Sequence, residues 1–296
     1  MKLAVVILNW NQAAETAACA RSVGEWSRLK PDVWIADNGS ADVEALARAC
    51  PAARLLRSPV NRGFAGGNNL AIGAILEGPA ELVLLLNNDA DVTEAAAEAL
   101  IRTLDEHPEI GIIGPVLIET GGAQEVRLAG GRDIAWHVNT RTRAPAPEGA
   151  GALRSADYVP GTVFLARTAV FRKIGLLDEA YFFSGEIADL CRRARAAGDG
   201  CAVRLDVEAR HRREPSAPLR ETLYAYYTLR NRFLYIRKHF TWQRVPLTVL
   251  WSGLGLLLGL RARLQGRPRT GRAIGLALRD GLRGRFGDRN SEFLSP

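Results

Sequence analysis

Several ingredients are scarce in this chain. It has four cysteines in 296 residues, Cys19, Cys50, Cys191 and Cys201. None stand in C-x-x-C spacing, and no histidine cluster accompanies them, which argues against structural zinc. The thiols read as small core residues of a protein kept in a reducing compartment. The N-terminus offers no secretory signal. Its apolar run is short, ends in Asn9-Trp-Asn11 and has no small-residue cleavage site, so the expected location is the cytoplasm. There is no internal repeat, and no low-complexity tract beyond an Arg/Gly bias over 261–287. The uncharged stretch Val245–Leu260 falls short of the roughly 20 residues a simple membrane span needs.

Charge is present but uneven. The net charge is +7, yet residues 204–296 hold 19 Lys+Arg against 7 Asp+Glu, and the chain before them is net acidic. A basic end on an acidic body predicts a polyanionic surface as partner. The tail has few interleaved aromatics and no recognised nucleic-acid module, so nucleic acid is not the expected partner. Instead, Val245–Leu260 abuts Arg261, Arg263, Arg267, Arg269 and Arg272. That juxtaposition predicts a helix lying in, or dipping into, an anionic membrane face, with the protein peripheral at the inner side of the cell membrane.

The body reads as alternating strands and helices. Leu3–Leu8, Asp32–Ala36, Ala53–Arg57 and Glu81–Leu86 read as strands, the first and last apolar enough to be buried on both faces. Helices are expected over about Ala13–Arg28, Asp42–Cys50, Asn69–Leu76 and Glu94–His107, the last capped by Thr93. Gly121–Leu153 is weakly patterned and rich in Gly, Ala and Pro, and it reads as irregular with room for strands within it. A strand follows at Val159–Leu165, then helices at Thr168–Ile174, Glu186–Ala197 and Leu219–His239. Such alternation predicts an α/β fold with an open, mostly parallel sheet, whose ligands bind beyond the carboxyl ends of the strands. Three polar clusters stand there: Asn9–Asn11, Asp37–Ser40 and Asn87–Asp91.

Within Leu84-Leu-Leu-Asn-Asn-Asp-Ala-Asp91, a buried strand ends in amides and carboxylates, suited to Mg²⁺ or Mn²⁺. The glycine-rich Asn61–Asn69 allows close backbone approach and leads into a helix whose free N–H groups could face phosphate. It lacks the Lys-Ser/Thr of a P-loop and does not follow the first strand, which disfavours a dinucleotide site. Glu186 and Asp189, three apart, share a helix face near its N-terminus, where a carboxylate can serve as general base or simply cap the helix. His211 lies among Arg210, Arg212 and Arg213, which could pair with phosphate.

These segments together, in this order from Leu3 to His239, resemble a family 2 glycosyltransferase of the GT-A (Rossmann-like) fold, near the rhamnosyltransferase-like group. The carriers are Val5-Val-Ile-Leu-Asn-Trp-Asn11, Ala36-Asp-Asn-Gly-Ser40, Asn61-Arg-Gly-Phe-Ala-Gly-Gly-Asn68, Leu85-Leu-Asn-Asn-Asp-Ala-Asp91, Gly175-Leu-Leu-Asp-Glu179 through Asp189-Leu-Cys191, and Arg230-Asn231. The resemblance implies a domain over 1–239 with an apolar and basic helical extension over 240–296. It implies inverting transfer of a sugar from a nucleotide-diphosphate donor, dTDP-rhamnose by analogy, to a hydroxyl of a glycan or lipid-linked acceptor, with Mg²⁺ or Mn²⁺. It assigns the donor to Leu8, Asn9, Asp37, Asn38, Arg62, Gly66, Asn68, Asn87 and Asn88. The metal falls to Asp89, then Asp91, with His211 assisting, and catalysis to Glu186 and Asp189. One position departs: the family's central aspartate, its usual base, is Ile187 here, so Glu186 takes the base role or activity is lost.

Overall fold

The computed structural model describes all residues except 122–124, 146–148, 150, 213–217 and 295–296; Arg213 lies outside the described residues. The first half runs β1 (Leu3–Asn9), α1 (Ala13–Gly24), β2 (Asp32–Asn38), α2 (Val43–Ala49), β3 (Arg54–Ser58), α3 (Gly63–Leu76), β4 (Leu82–Asn87), β5 (Ala90–Asp91), α4 (Glu94–Glu106) and β6 (Ile110–Thr120). The second half runs β7 (Val126–Gly131), β8 (Arg141–Arg143), β9 (Leu153–Ser155), β10 (Val163–Arg167), α5 (Thr168–Ile174), α6 (Glu186–Ala196), β11 (Gly200–Arg212), α7 (Pro218–His239), α8 (Arg244–Leu264), α9 (Pro268–Arg283) and α10 (Ser291–Leu294).

The sheet has the order β3-β2-β1-β4-β10-β6-β11-β5. β1 to β4 are parallel, β10 enters antiparallel between β4 and β6, and β11 returns parallel to β6. Alternation along the strands sorts the core. Leu3, Val5 and Ile7 of β1 and Leu82, Leu84 and Leu86 of β4 face α1 and α4. Ala4, Val6, Val83 and Leu85 face α3, α5 and α6. Both faces are covered, which is why these strands read as unbroken apolar runs.

Several expectations shift. α1 stops at Gly24 rather than Arg28. The glycine-rich segment is already helical from Gly63, so Asn61–Asn69 is a helix start and not an extended loop. Two long strands, β6 and β11, carry the half of the sheet that the sequence reading left blank. Part of Gly121–Leu153 forms β7 and β8, and β9 begins at its end. Thr93 does cap α4, its hydroxyl accepting from Ala96 N–H at 3.1 Å.

α7, α8 and α9 make a third apolar cluster with Ile134, Tyr181 and Phe182. Division at 239 would cut that cluster. α8 spans 21 residues, longer than its 16-residue uncharged stretch, and by length and composition it could cross a bilayer. One face is nevertheless packed on protein through Leu247, Trp251, Gly255, Gly259 and Ala262, with Trp251 Nε1 donating to Ala135 O at 2.7 Å. The other face exposes Val245, Val249, Leu250, Leu256, Leu257, Leu260 and Leu264.

Candidate active site

Three strand ends and the first turn of α6 meet at a cavity of about 580 Å³. Asn87 comes from β4, Glu119 from β6, His211 from β11 and Glu186 from α6. Glu186 is buried, and its Oε2 has no hydrogen-bond partner. Burial raises its pKa to about 7, with the nearby Asp189 charge adding to the rise against an opposing backbone hydrogen bond. A carboxyl of that kind is poised to exchange a proton near neutrality.

The loop before Glu186 is held with some strain. Phe182 and Ser184 take positive φ, +62° and +71°, costly for side-chain-bearing residues. Asn231 offsets this by donating to Tyr181 O and Phe183 O, both at 2.9 Å, while Arg230 donates to Tyr181 O at 2.9 Å and to Gly287 O at 2.6 Å. Gly287 N–H in turn reaches Ala180 O at 2.8 Å, tying the C-terminal segment to the same loop.

Asp89 and His211 form the second pair. β5 lies antiparallel to β11, and Arg212 N–H donates to Asp89 O, so the pairing pins the two side chains with His211 Nε2 and Asp89 Oδ2 3.2 Å apart. Burial would lower the imidazole's pKa, but the contact with Asp89 and the nearby Glu119 carboxylate outweigh it and raise it to about 9. Asp89 Oδ1 is buried without a hydrogen-bond partner. No group of three or more His, Cys, Asp or Glu is arranged to hold a metal among the described residues. Asp89 fits Mg²⁺ or Mn²⁺ through its unpartnered Oδ1, because such ions usually take one or two carboxylates and leave the rest to water and substrate phosphate, whereas His211, protonated below about pH 9, would have to release its proton to join it. Asp91 sits apart, exposed and opposite Arg210 at the sheet edge.

The expected donor-binding residues form a separate polar network that does not line the cavity, Asn87 excepted. Asn9 Nδ2 donates to Asp37 Oδ1 at 2.7 Å, Ser40 N–H donates to Asp37 Oδ2, Thr16 donates to Asn9 Oδ1, and Asn88 donates to Thr16. Asp37 is fully buried, and both its oxygens are engaged. Asn88, beside Asp89, is thereby linked to β1 and β2. Leu8 packs at the same strand ends, where a Cβ on Gly67 would stand 2.4 Å from its Cδ1.

The phosphate reading of the glycine-rich segment is corrected. Arg62 N–H donates to Asn38 Oδ1, Gly63 N–H to Asn61 Oδ1 and Phe64 N–H to Phe182 O, so these amides already have partners. Arg62 is tied to Glu179 through two contacts of 2.9 Å. Gly66 makes room for that pair, since a Cβ there would stand 2.6 Å from Arg62 Cβ. Asn68 donates to Phe64 O within the helix.

Asp189 also differs from its sister carboxylate. It is fully buried behind the cavity wall, and Arg193, Lys238, His239 and Tyr181 surround it. Burial would raise its pKa, but His239, Arg193 and Lys238 hold it well below the usual carboxylate range. Ile187, in place of the family aspartate, lines the cavity between Glu186 and the core. Glu119, in contact with Arg141 and 3.9 Å from His211, was missed in the sequence. Its signal was there: the apolar run Ile110–Ile118 ends in Glu119-Thr120, a fourth polar strand end.

At its carboxyl edge the α/β sheet thus carries an aspartate paired with a histidine, and a buried glutamate from α6. The family model of glycosyl transferase family 2 matches residues 4–172, more than half of the chain, and the chain belongs to that family. It is 29% identical over 178 residues to a low-salt glycan biosynthesis hexosyltransferase of Haloferax volcanii, an alignment covering 59% of this chain and 57% of that relative. Among solved structures it resembles GalNAc-T7 with UDP, GalNAc and Mn²⁺, at TM-score 0.60 and 13% identity, over 76% of this chain and 48% of that one. It also resembles a mannosyltransferase of Pyrobaculum calidifontis in complex with GDP-Man and Mn²⁺, at TM-score 0.58 and 13% identity, over 95% and 87%. The fold is that of the GT-A glycosyltransferases.

Proposed function

We propose that this protein transfers a sugar, with inversion, from a nucleoside-diphosphate donor to a hydroxyl of a lipid-linked or polysaccharide acceptor, at the cytoplasmic face of a membrane. The observation that carries the reading is Glu186, a buried carboxyl with an unpartnered oxygen in the cavity that His211 and Asn87 also line. Glu186 takes the acceptor proton while the acceptor oxygen attacks the anomeric carbon opposite the leaving diphosphate. Asp89 and His211 would hold Mg²⁺ or Mn²⁺, which neutralises charge on that leaving group when bound. Asp189 acts through its partners, fixing α6 so that Glu186 faces the cavity. Asp37, Asn38 and Asn9 shape the floor of the donor site, and Asp91 is at most an outer ligand. The structurally similar GalNAc-T7 and Pyrobaculum calidifontis mannosyltransferase are in complex with UDP and GDP-Man, and the sequence resemblance adds dTDP-rhamnose, so these define the donor panel. The exposed apolar face of α8 and its arginines support membrane docking.

The test is transfer by wild type and Glu186→Gln across that panel with Mn²⁺. A loss of about 10²–10⁴-fold with donor affinity retained is expected. Full activity in the Gln variant would remove Glu186 from the mechanism. Donor binding without transfer by wild type would favour a catalytically silent sugar-nucleotide subunit, the reading that Ile187 motivates.

A further inference from the structure

The wall of the cavity opposite the strand ends is built by α7 and by the turn between α8 and α9, where Arg267 and Thr270 face it. The cations of this cavity are not equivalent. His211 is engaged with Asp89 and Arg141 with Glu119. Arg232 is buried, donates to the carbonyls of Ile134, His137 and Val138, and stacks over Trp251 at 3.9 Å. Arg267 is exposed, and the one hydrogen bond described for its side chain goes to Gln265 at 2.9 Å. It precedes a 16-residue helix whose N-cap makes no side-chain hydrogen bond, so the positive end of the helix dipole adds to its charge. Glu221 of α7 also lines the cavity, and its charge disfavours an anion beside it.

The position of that turn relative to the exposed apolar stripe is informative. Val249, Leu256, Leu257, Leu260 and Leu264 point outward along α8, and the last of them is 80% exposed. Leu264 and Arg267 are three residues apart, at most about 11 Å of chain. That is on the order of a bilayer's headgroup layer. The exposed apolar stripe of α8 thus ends within three residues of Arg267, so a lipid covering that stripe would have its polar head near this turn.

We propose that Arg267, with Thr270 and the start of α9, is an acceptor subsite that binds the phosphate of a membrane-anchored acceptor, leaving the acceptor sugar to reach Glu186; this deepens the transferase reading and rests on it. The phosphate belongs to the acceptor rather than to a bulk phospholipid, because the subsite is part of the reaction cavity.

The experiment compares two water-soluble acceptors without a membrane: a sugar on a ten-carbon prenyl diphosphate, and the same sugar joined to the same prenyl chain with no phosphate. Binding is read by calorimetry and transfer by product formation. Arg267→Ala is expected to weaken binding of the diphosphate acceptor and raise its KM at least tenfold, with kcat retained and the phosphate-free acceptor unchanged. Arg267→Lys is expected to recover part of the loss, since charge returns without the planar fork. Equal effects on both acceptors, or none, would overturn the subsite. So would a loss confined to anionic vesicle binding, which would assign Arg267 to bulk lipid. Binding with the expected discrimination but no transfer would keep the subsite and sink the transferase reading instead.

Discussion

Glu186 and Asp189 sit one helical turn apart, yet their surroundings push them in opposite directions. Asp189 has Arg193, Lys238 and His239 around it, whereas Glu186 has an apolar wall and an unpartnered oxygen. The signs of their pH effects follow. Glu186, raised to about 7, favours the fold while neutral. That contribution is present below about pH 4.5 and is lost as pH rises through about 7. The base form is thus the less stable form. kcat should climb with pH through about 7, and Glu186→Gln should melt higher than wild type at pH 8 but not at pH 4.5, in paired thermal scans. Asp189, held low, contributes stability above the ordinary carboxylate range and loses it as pH falls further. Asp189→Asn takes a buried carboxylate away from the partly exposed Arg193, Lys238 and His239, at a cost of about 1.5–3 kcal/mol near neutrality. A denaturant titration should show that gap narrowing in acid. A gap independent of pH would mean that Asp189 does not act through its charge.

At the scale of elements, the site depends on how α7 grips the loop ahead of α6. Asn231→Ala removes the donors to Tyr181 O and Phe183 O, and the strained Phe182 and Ser184 then lose their tether. The expected result is a fall in kcat of about tenfold or more with donor affinity little changed, because a displaced base spoils geometry rather than ground-state binding. Steady-state kinetics with the donor varied would check it. The same scale shows what could be read in advance. β1 and β4 were legible because burial on both faces leaves an unbroken apolar run. The glycines of α3 misled, because Gly63, Gly66 and Gly67 serve helix–strand and helix–loop packing, and phosphate binding has the same signature in sequence. β11 carried a strand signal, charged Asp206, Glu208, Arg210 and Arg212 outward against buried Leu205, Val207, Ala209 and His211, but the arginines around His211 pointed to phosphate instead. His211 could be picked out, but not its contact with Asp89, 122 positions away along the chain.

For the whole molecule, the lopsided charge and the apolar helix converge. Among the described residues, nine of the sixteen exposed large hydrophobics lie from Trp242 to Leu264, so the exposed apolar surface is concentrated rather than scattered. Leu256→Glu with Leu257→Glu should abolish sedimentation with anionic vesicles while leaving the melting temperature and turnover of a soluble acceptor near wild type. Retained sedimentation would place the membrane contact elsewhere. The extension is also part of the body, because Tyr226, Leu229 and Phe233 of α7 are buried in the cluster that α8 and α9 share.

The four thiols lie inside the two apolar layers, Cys19 and Cys50 on one face of the sheet, Cys191 and Cys201 on the other. Burial, with Asp91 and Asp89 nearby, pushes the Cys19 thiol up to about 12, and contact with Cys191 together with burial raises Cys201 as well. Neither pair reacts with an alkylating probe until its layer opens. The protein therefore carries its own stopwatch: peptide-resolved alkylation rates, with and without nucleotide, would time the breathing of each half of the sandwich without a single engineered label.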